Sequence, residues 1–297
     1  MLAQVLVVGA GYAGLMAANR LAAAGQSGVS VTVVNPRPEF VERVWLHEHA
    51  AGVSSAVRPL SGLLRRDVRL RVASVATIAE RSVQTRRRWC TRFRPSAVRG
   101  GKYGCPTFDR VRECAQCRRP RRRRVAAPAT AAPAGGGACR VIGGGLTGIE
   151  TSAEIAYRYP TLDVDLMSQA VAARLPESSR VRIERQLANA GVRLRTGPRV
   201  SGVRPDAVET DAGRLPSDCT VWAGSFDVPD LAQRSGLPVP PTAACASTIP
   251  WCARNIGGSS VSVTPSRQIG DHLRMSCQAA IPLGTHGADT VLALIRG

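Results

Sequence analysis

Two sets of three glycines carry the clearest chemistry in this sequence. Gly9, Gly11 and Gly14 stand in G-x-G-x-x-G spacing behind the apolar run Val5–Val8, and Gly143, Gly145 and Gly148 repeat that spacing behind Cys139-Arg-Val-Ile142. In such a turn the first glycine permits the reversal and the second lets a pyrophosphate reach the backbone. The third lets the following helix pack on the strand. The helix N-terminus adds free N–H groups and a partial positive charge for the phosphates. Asn35 and Ser168 stand where a ribose-contacting side chain belongs, about 20 residues past the last glycine of each set. Glu150 falls near the N-terminus of the second helix, where a carboxylate also stabilises the macrodipole.

These residues need a strand, a helix and a partner strand to hold them. Leu15–Leu21 reads as the first helix, closed by Gly25, and Val29–Val34 as the partner strand. Glu39–Ala51 reads as partly helical, Val68–Val72 alternates as a strand, and Val75–Ile78 could be another. After Val83 neither helical nor strand period survives until Cys139. The second set then has its own helix, the partner strand Asp163–Met167, an amphipathic helix over Ser178–Ala190 and a strand over Val192–Leu194. Arg199–Val203 and Ala207–Thr210 alternate around a turn, and Cys219–Gly224 is a strand ending on glycine. From about Thr242 the pattern is irregular, with helical character returning in His272–Ala280 and Gly287–Ile295.

A length of 297 residues leaves room for two domains. No apolar run approaches the roughly 18 residues of a membrane span. Met1 leads straight into a strand without a secretory signal, so a cytoplasmic, reducing setting is expected, with the nine cysteines as thiols or metal ligands. The net charge of +19 is concentrated: Val83–Ala138 holds fifteen Arg and Lys against Asp109 and Glu113. That stretch, rich in Arg, Ala and Pro, is too charged to bury a core and is expected to be unfolded.

The paired turns resemble the two-dinucleotide flavoproteins, and most closely the type II NADH dehydrogenase-like pyridine nucleotide oxidoreductases. The resemblance rests on Val7–Leu15, Asn35–Arg37 with Phe40–Arg43, Gly143–Glu150, Thr220–Gly224 and His272–Leu283. It implies an α/β fold with two Rossmann-like domains and an irregular Arg-rich insert. An incomplete, discontinuous FAD-binding domain would span 1–82 and 243–297, and an NAD(P)-binding domain 139–242, with 83–138 as the basic segment between them. Gly9, Gly11 and Gly14 would hold the FAD pyrophosphate, with Asn35 near the adenosine ribose and Arg43 and Gly224 among the cofactor contacts. Gly143, Gly145 and Gly148 would hold NAD(P)H, and Glu150 would stand beside the flavin and nicotinamide rings. The implied activity is hydride transfer from NAD(P)H to FAD and on to a small acceptor such as a quinone, at the cytoplasmic face of the inner membrane or free in the cytoplasm. Ser168 is not the carboxylate expected for an NAD 2′-hydroxyl, which leaves the choice of NAD or NADP open.

Three departures temper this. The family's glycine turn against the flavin falls where the Arg-rich segment lies. Its Gly-Asp motif for the ribityl chain falls within Cys245–Arg267, leaving only Gly270-Asp271. The chain also stops where a C-terminal dimerisation and membrane-surface region would begin. The irregular stretches are therefore expected to be frame-displaced, with weak flavin binding and impaired turnover. The competing class is a non-catalytic basic protein presenting Arg121–Arg124 to nucleic acid on a Rossmann-like scaffold. No aromatic platform accompanies that run, so nucleic acid is not the expected partner. Cys114-x-x-Cys117 has zinc-knuckle spacing, but Cys90 and Cys105 are separated by x14 rather than x2 and no histidine lies nearby, and His47, His49, His272 and His286 show no ligand pattern, so no metal is expected. Cys277 reads as a core residue.

Overall fold

The computed structural model describes residues 3–24, 28–79, 82–85, 90–92, 97–98, 136–224, 231–237, 251–256, 260–265 and 276–296. The chain divides into two compact units. One comprises Met1–Val41, Val57–Gly104 and Asp227–Gly297, the other Glu42–Ala56 and Cys105–Phe226.

The first unit opens with β1 (Ala3–Val8), α1 (Tyr12–Ala24) and β2 (Val29–Asn35). A short antiparallel pair, β3 (Glu39–Val41) and β4 (Val57–Pro59), flanks an excursion into the other unit that carries α2 (Leu46–Ala50). β5 (Arg69–Val72) follows, then an antiparallel meander of β6 (Val75–Ala79), β7 (Ser82–Thr85) and β8 (Cys90–Arg92), then β9 (Ala97–Val98). The parallel sheet runs β5-β2-β1-β9.

The second unit repeats this plan. β10 (Ala138–Ile142), α3 (Leu146–Arg158), β11 (Asp163–Ser168), α4 (Glu177–Asn189) and β12 (Val192–Thr196) lead into a meander of β13 (Val200–Val203), β14 (Ala207–Thr210) and β15 (Gly213–Pro216). β16 (Cys219–Trp222) closes the parallel sheet β12-β11-β10-β16. The chain then returns to the first unit with α5 (Leu231–Arg234), the hairpin β17 (Trp251–Ile256) and β18 (Ser260–Pro265), and α6 (Cys277–Arg296).

Each glycine-bearing strand lies second from one edge of its sheet, paired on both sides, so Val5–Val8 are buried on both faces, as a near-continuous apolar run requires. On one face Val5, Val7, Val31 and Val33 meet Ala17, Ala18 and Leu21 of α1, and α6 closes over them with Ala288, Val291 and Leu292. α1 and α6 approach through small residues: a Cβ on Gly284 would collide with the carbonyl of Ala13. On the other face Leu6, Val8 and Val34 pack against Val75, Ile78, Val83 and Leu231. In the second unit Val141, Val164 and Leu166 face the helices, while Ile142 and Met167 face the meander through Val208.

Three differences from the sequence reading stand out. The stretch after Val83 is not without strands, because β7, β8 and β9 fall at its start and β9 pairs with Leu6 and Val7. The stretch Cys245–Arg267, which reads as irregular, contains the antiparallel pair β17 and β18. The two expected C-terminal helical pieces are joined in one helix across Pro282. Pro282 is the sixth residue of that helix, where its ring crowds the Gln278 carbonyl and its missing N–H removes one intrahelical bond. The remainder of the Arg-rich segment, including Arg121–Arg124, Cys105, Cys114 and Cys117, lies outside the described residues, as do Gly270-Asp271 and His272. Among the described residues no helix is long and apolar enough to cross a membrane, and no group of three or more His, Cys, Asp or Glu could hold a metal ion.

Candidate dinucleotide sites

The second glycine turn shows why each glycine is there. Gly143 has φ +123°, and its N–H donates to the Met167 carbonyl at 2.8 Å. A Cβ on it would stand 2.5 Å from the Ala223 carbonyl oxygen, because the end of β16 runs alongside. A Cβ on Gly144 would strike the Ala170 carbonyl and the Ser168 side chain, and one on Gly148 would strike the carbonyl of Gly143. Gly145 is different: a Cβ there meets nothing within 4 Å. The protein's own packing demands glycine at 143, 144 and 148, whereas at 145 the turn faces open space. Gly145 is also the N-cap of α3, without a side-chain cap, and the first helical bond runs from Ile149 N–H to the Gly145 carbonyl at 3.0 Å. The earlier N–H groups of that helix have no intrahelical acceptor. Space in front of a glycine, beside unsatisfied donors at a helix N-terminus, is a cradle a pyrophosphate fits.

The loop after β11 is bound to this turn. Ala172, with φ +49°, donates its N–H to the Gly144 carbonyl at 2.7 Å. The Ser168 hydroxyl donates to the Ala170 carbonyl at 2.9 Å, and Gly197 N–H donates to the Ser168 carbonyl at 3.2 Å. Ser168 is thus held from its own loop and from the turn after β12. Gly224 lies at the end of β16 beside Gly143, and a Cβ on it would run into the Trp222 indole.

The first turn is built alike. Gly9 has φ +94° and donates to the Val34 carbonyl at 2.8 Å, Leu15 N–H donates to the Gly11 carbonyl at 2.8 Å, and Gly14 is buried in α1. Asn35 ties the turn to β2: its Oδ1 accepts the Ala10 N–H at 3.0 Å and its Nδ2 donates to the Arg37 carbonyl at 2.7 Å. A carboxylate could make only the first of these bonds. One amide hydrogen of Asn35 remains for a ribose hydroxyl. The Tyr12 ring, at the start of α1, meets Phe40 edge-on at 4.9 Å.

Arg43 opens a single 3-10 turn before α2 and is half-buried. Glu150 projects from α3 with its side chain about half exposed, 3.9 Å from Nδ1 of His47 on α2. Sequence reasoning missed Ala172 and Gly144. A left-handed alanine has no sequence signature, whereas Gly144 lies in plain view within Gly143-Gly-Gly145 at an x position of the G-x-G-x-x-G pattern.

Paired parallel sheets, each with a glycine turn at the end of a strand that has neighbours on both sides, define the FAD/NAD(P)-binding Rossmann class. The chain belongs to the pyridine nucleotide-disulphide oxidoreductase family, whose model matches residues 91–244, and a model described as FAD-NAD(P)-binding matches residues 6–58. The first of these matches runs through the Arg-rich stretch. Two NADH dehydrogenase-like proteins, from two strains of Mycobacterium tuberculosis, are 30% identical over 169 residues, which is 51% of this chain and 42% of theirs. The chain therefore spans less than half the length of these curated relatives. The sulfide:quinone oxidoreductase of Aquifex aeolicus shares the fold at 15% identity and TM-score 0.70, over 99% of this chain and 77% of that one. An engineered water-forming NADPH oxidase derived from a Lactobacillus brevis enzyme and bound to NADPH does so at 18% identity and TM-score 0.71, over 97% and 69%.

Proposed function

We propose that this chain is a flavin-dependent oxidoreductase that takes a hydride from NAD(P)H and passes the electrons to a small acceptor such as a quinone. The observation that carries this reading is the presence of two complete glycine turns in one chain, each at the end of its own parallel sheet. One turn suffices for a single dinucleotide, and a flavin taking hydride from a nicotinamide needs two. In this reading the unit with Gly9, Gly11, Gly14 and Asn35 holds FAD. The unit with Gly143, Gly145, Gly148 and Gly224 holds NAD(P)H.

When bound, the flavin and nicotinamide supply the hydride chemistry. The chain binds, orients and shields them. Gly145 admits the pyrophosphate, the N–H groups opening α3 donate to it, and Asn35 offers an amide hydrogen to a ribose hydroxyl. Glu150 would orient the ring end of the nucleotide, and His47 nearby would hold that carboxylate. Arg43 would contact the cofactor phosphates. Turnover is expected to be low, because the two stretches that the resemblance assigns to the flavin ring and ribityl chain carry neither the family's glycine turn nor its Gly-Asp motif in place.

The test is a titration of the purified protein with NADH and NADPH followed by nucleotide fluorescence, together with a flavin absorbance spectrum before and after adding FAD. Saturable nucleotide binding abolished by Gly145→Val is the expected result. Absence of nucleotide binding, with retention of RNA or DNA, would favour the basic scaffold reading instead.

A further inference from the structure

We infer that the second glycine turn selects NADPH over NADH, with Arg174 as the residue that recognises the 2′-phosphate. This rests on the reading of that turn as the pyridine nucleotide site. Three observations support it.

The first is what β11 delivers at its end. NAD-selective turns place a carboxylate there to accept from the ribose 2′-hydroxyl, and the same carboxylate repels a 2′-phosphate. Here the position is Ser168, and Ser168–Pro176 contains no acid. The Ser168 hydroxyl is already donating to the Ala170 carbonyl at 2.9 Å, so its hydrogen is not free for a ligand.

The second is how the loop is fixed. Ala172 adopts φ +49°, a conformation rare for a residue with a Cβ. In it the Ala172 N–H reaches the Gly144 carbonyl inside the glycine turn at 2.7 Å, and Leu175 N–H then returns to the Ala172 carbonyl at 2.8 Å. Arg174 is enclosed between these two bonds. It is held within two residues of a direct bond to the turn that would bind the pyrophosphate.

The third is charge. Arg174 is exposed and forms no ion pair among the described residues. The nearby acids are otherwise engaged or set apart. Asp165 is buried against Arg140, Arg193 and Arg195, Asp163 pairs with Arg193, and Asp211 accepts the Arg199 N–H. Glu177 stands in the first turn of α4. Arg199, exposed on the turn whose Gly197 bonds Ser168, adds a second positive charge on that side. A phosphate monoester carries about −1.5 to −2 at neutral pH, and a guanidinium binds it by paired charge-assisted hydrogen bonds.

The experiment measures dissociation constants for NADPH and NADH on the full chain by fluorescence titration, at low and high salt, for the wild type, Arg174→Glu and Ser168→Asp. The expected result is a wild-type preference for NADPH of about tenfold or more that shrinks with salt. Arg174→Glu should erase it by weakening NADPH alone, and Ser168→Asp should reverse it. Because Arg174 is exposed, its replacement leaves the fold intact, and circular dichroism checks this. Equal affinity for the two nucleotides in the wild type, or an unchanged preference in Arg174→Glu, overturns the inference while the nucleotide-site reading stands. Failure to bind either nucleotide overturns both.

Discussion

The Asp165 carboxylate is fully buried and lies 2.8 Å from Nη1 of Arg140, its partner across the β10–β11 ladder, close as an ion pair but not aligned as a hydrogen bond. Nε of Arg193, from β12 on the other side, donates to Oδ1 at 2.8 Å, and Nε of Arg195 donates to Oδ2, the oxygen that faces Arg140. Arg140 donates further to the Pro216 carbonyl at 3.1 Å. One carboxylate thus organises three guanidinium groups beneath the strand that ends at Ser168. The hydrogen bond to Asp165, with a second to Asp163, holds the Arg193 guanidinium above its already high usual pKa.

Removing that carboxylate should be costly. Asp165→Asn leaves cations facing one another without their counter-charge, and the expected loss is about 3–5 kcal/mol in urea unfolding. Asp165→Leu combined with Arg140→Met should lose much less, because no buried charge is then stranded. Equal losses in the two variants would show that the pairing contributes little.

The glycines of the second turn should separate binding from folding. Gly145→Val puts a side chain into open space, so its thermal midpoint should stay near the wild type while NAD(P)H affinity falls at least about tenfold. Gly148→Ala, which must push against the Gly143 carbonyl, should lower the midpoint by itself. A Gly145→Val protein that binds normally would remove the pyrophosphate from this turn.

Gly284 offers a test of the packing behind the first turn. Gly284→Ala drives a methyl group against the Ala13 backbone, one residue from Gly14. The expected cost of this overpacking is about 1–3 kcal/mol, read by denaturant unfolding. No change in midpoint would mean that α6 can shift away freely.

Asn35→Ala removes the side-chain bond from the first turn, made by the Ala10 N–H, and the bond to the Arg37 carbonyl in the loop after β2. It should destabilise by about 1–2 kcal/mol and weaken added FAD. Asn35→Asp keeps the acceptor for Ala10 but sets a carboxylate against the Arg37 carbonyl. If both variants bind FAD as the wild type does, Asn35 serves the turn alone.

The frame-displacement expectation has a direct check in the gene. Reading codons 83–138 in an alternate frame should restore a glycine-containing loop, and codons 245–267 a Gly-Asp motif. Stop codons in both alternate frames would reject it.

Both glycine turns and their flanking strands were legible because they depend on short-range geometry. Gly9 and Gly143 need positive φ, and Val5–Val8 needs burial on both faces. β9 was not legible. Its two residues carry no period, and their place is set by the open ladder of Leu6 and Val7 rather than by local preference. Asp165 was read as part of a strand but not as buried, since its partners come from β10 and β12 and its cover from distant chain. Ala172 was hidden because its conformation is imposed by the Gly144 carbonyl it must reach.

The doubled plan has a consequence for synthesis on the ribosome. β1 pairs with β2 early, but its other ladder edge waits for Ala97 and Val98, and β10 waits in the same way for Cys219–Trp222. Each nascent unit therefore carries a bare edge on its most apolar strand until that closing strand emerges. Such an edge recruits other strands. The window of vulnerability closes twice, once per unit, and a chaperone that shields extended apolar segments would be needed most just before each closing strand emerges.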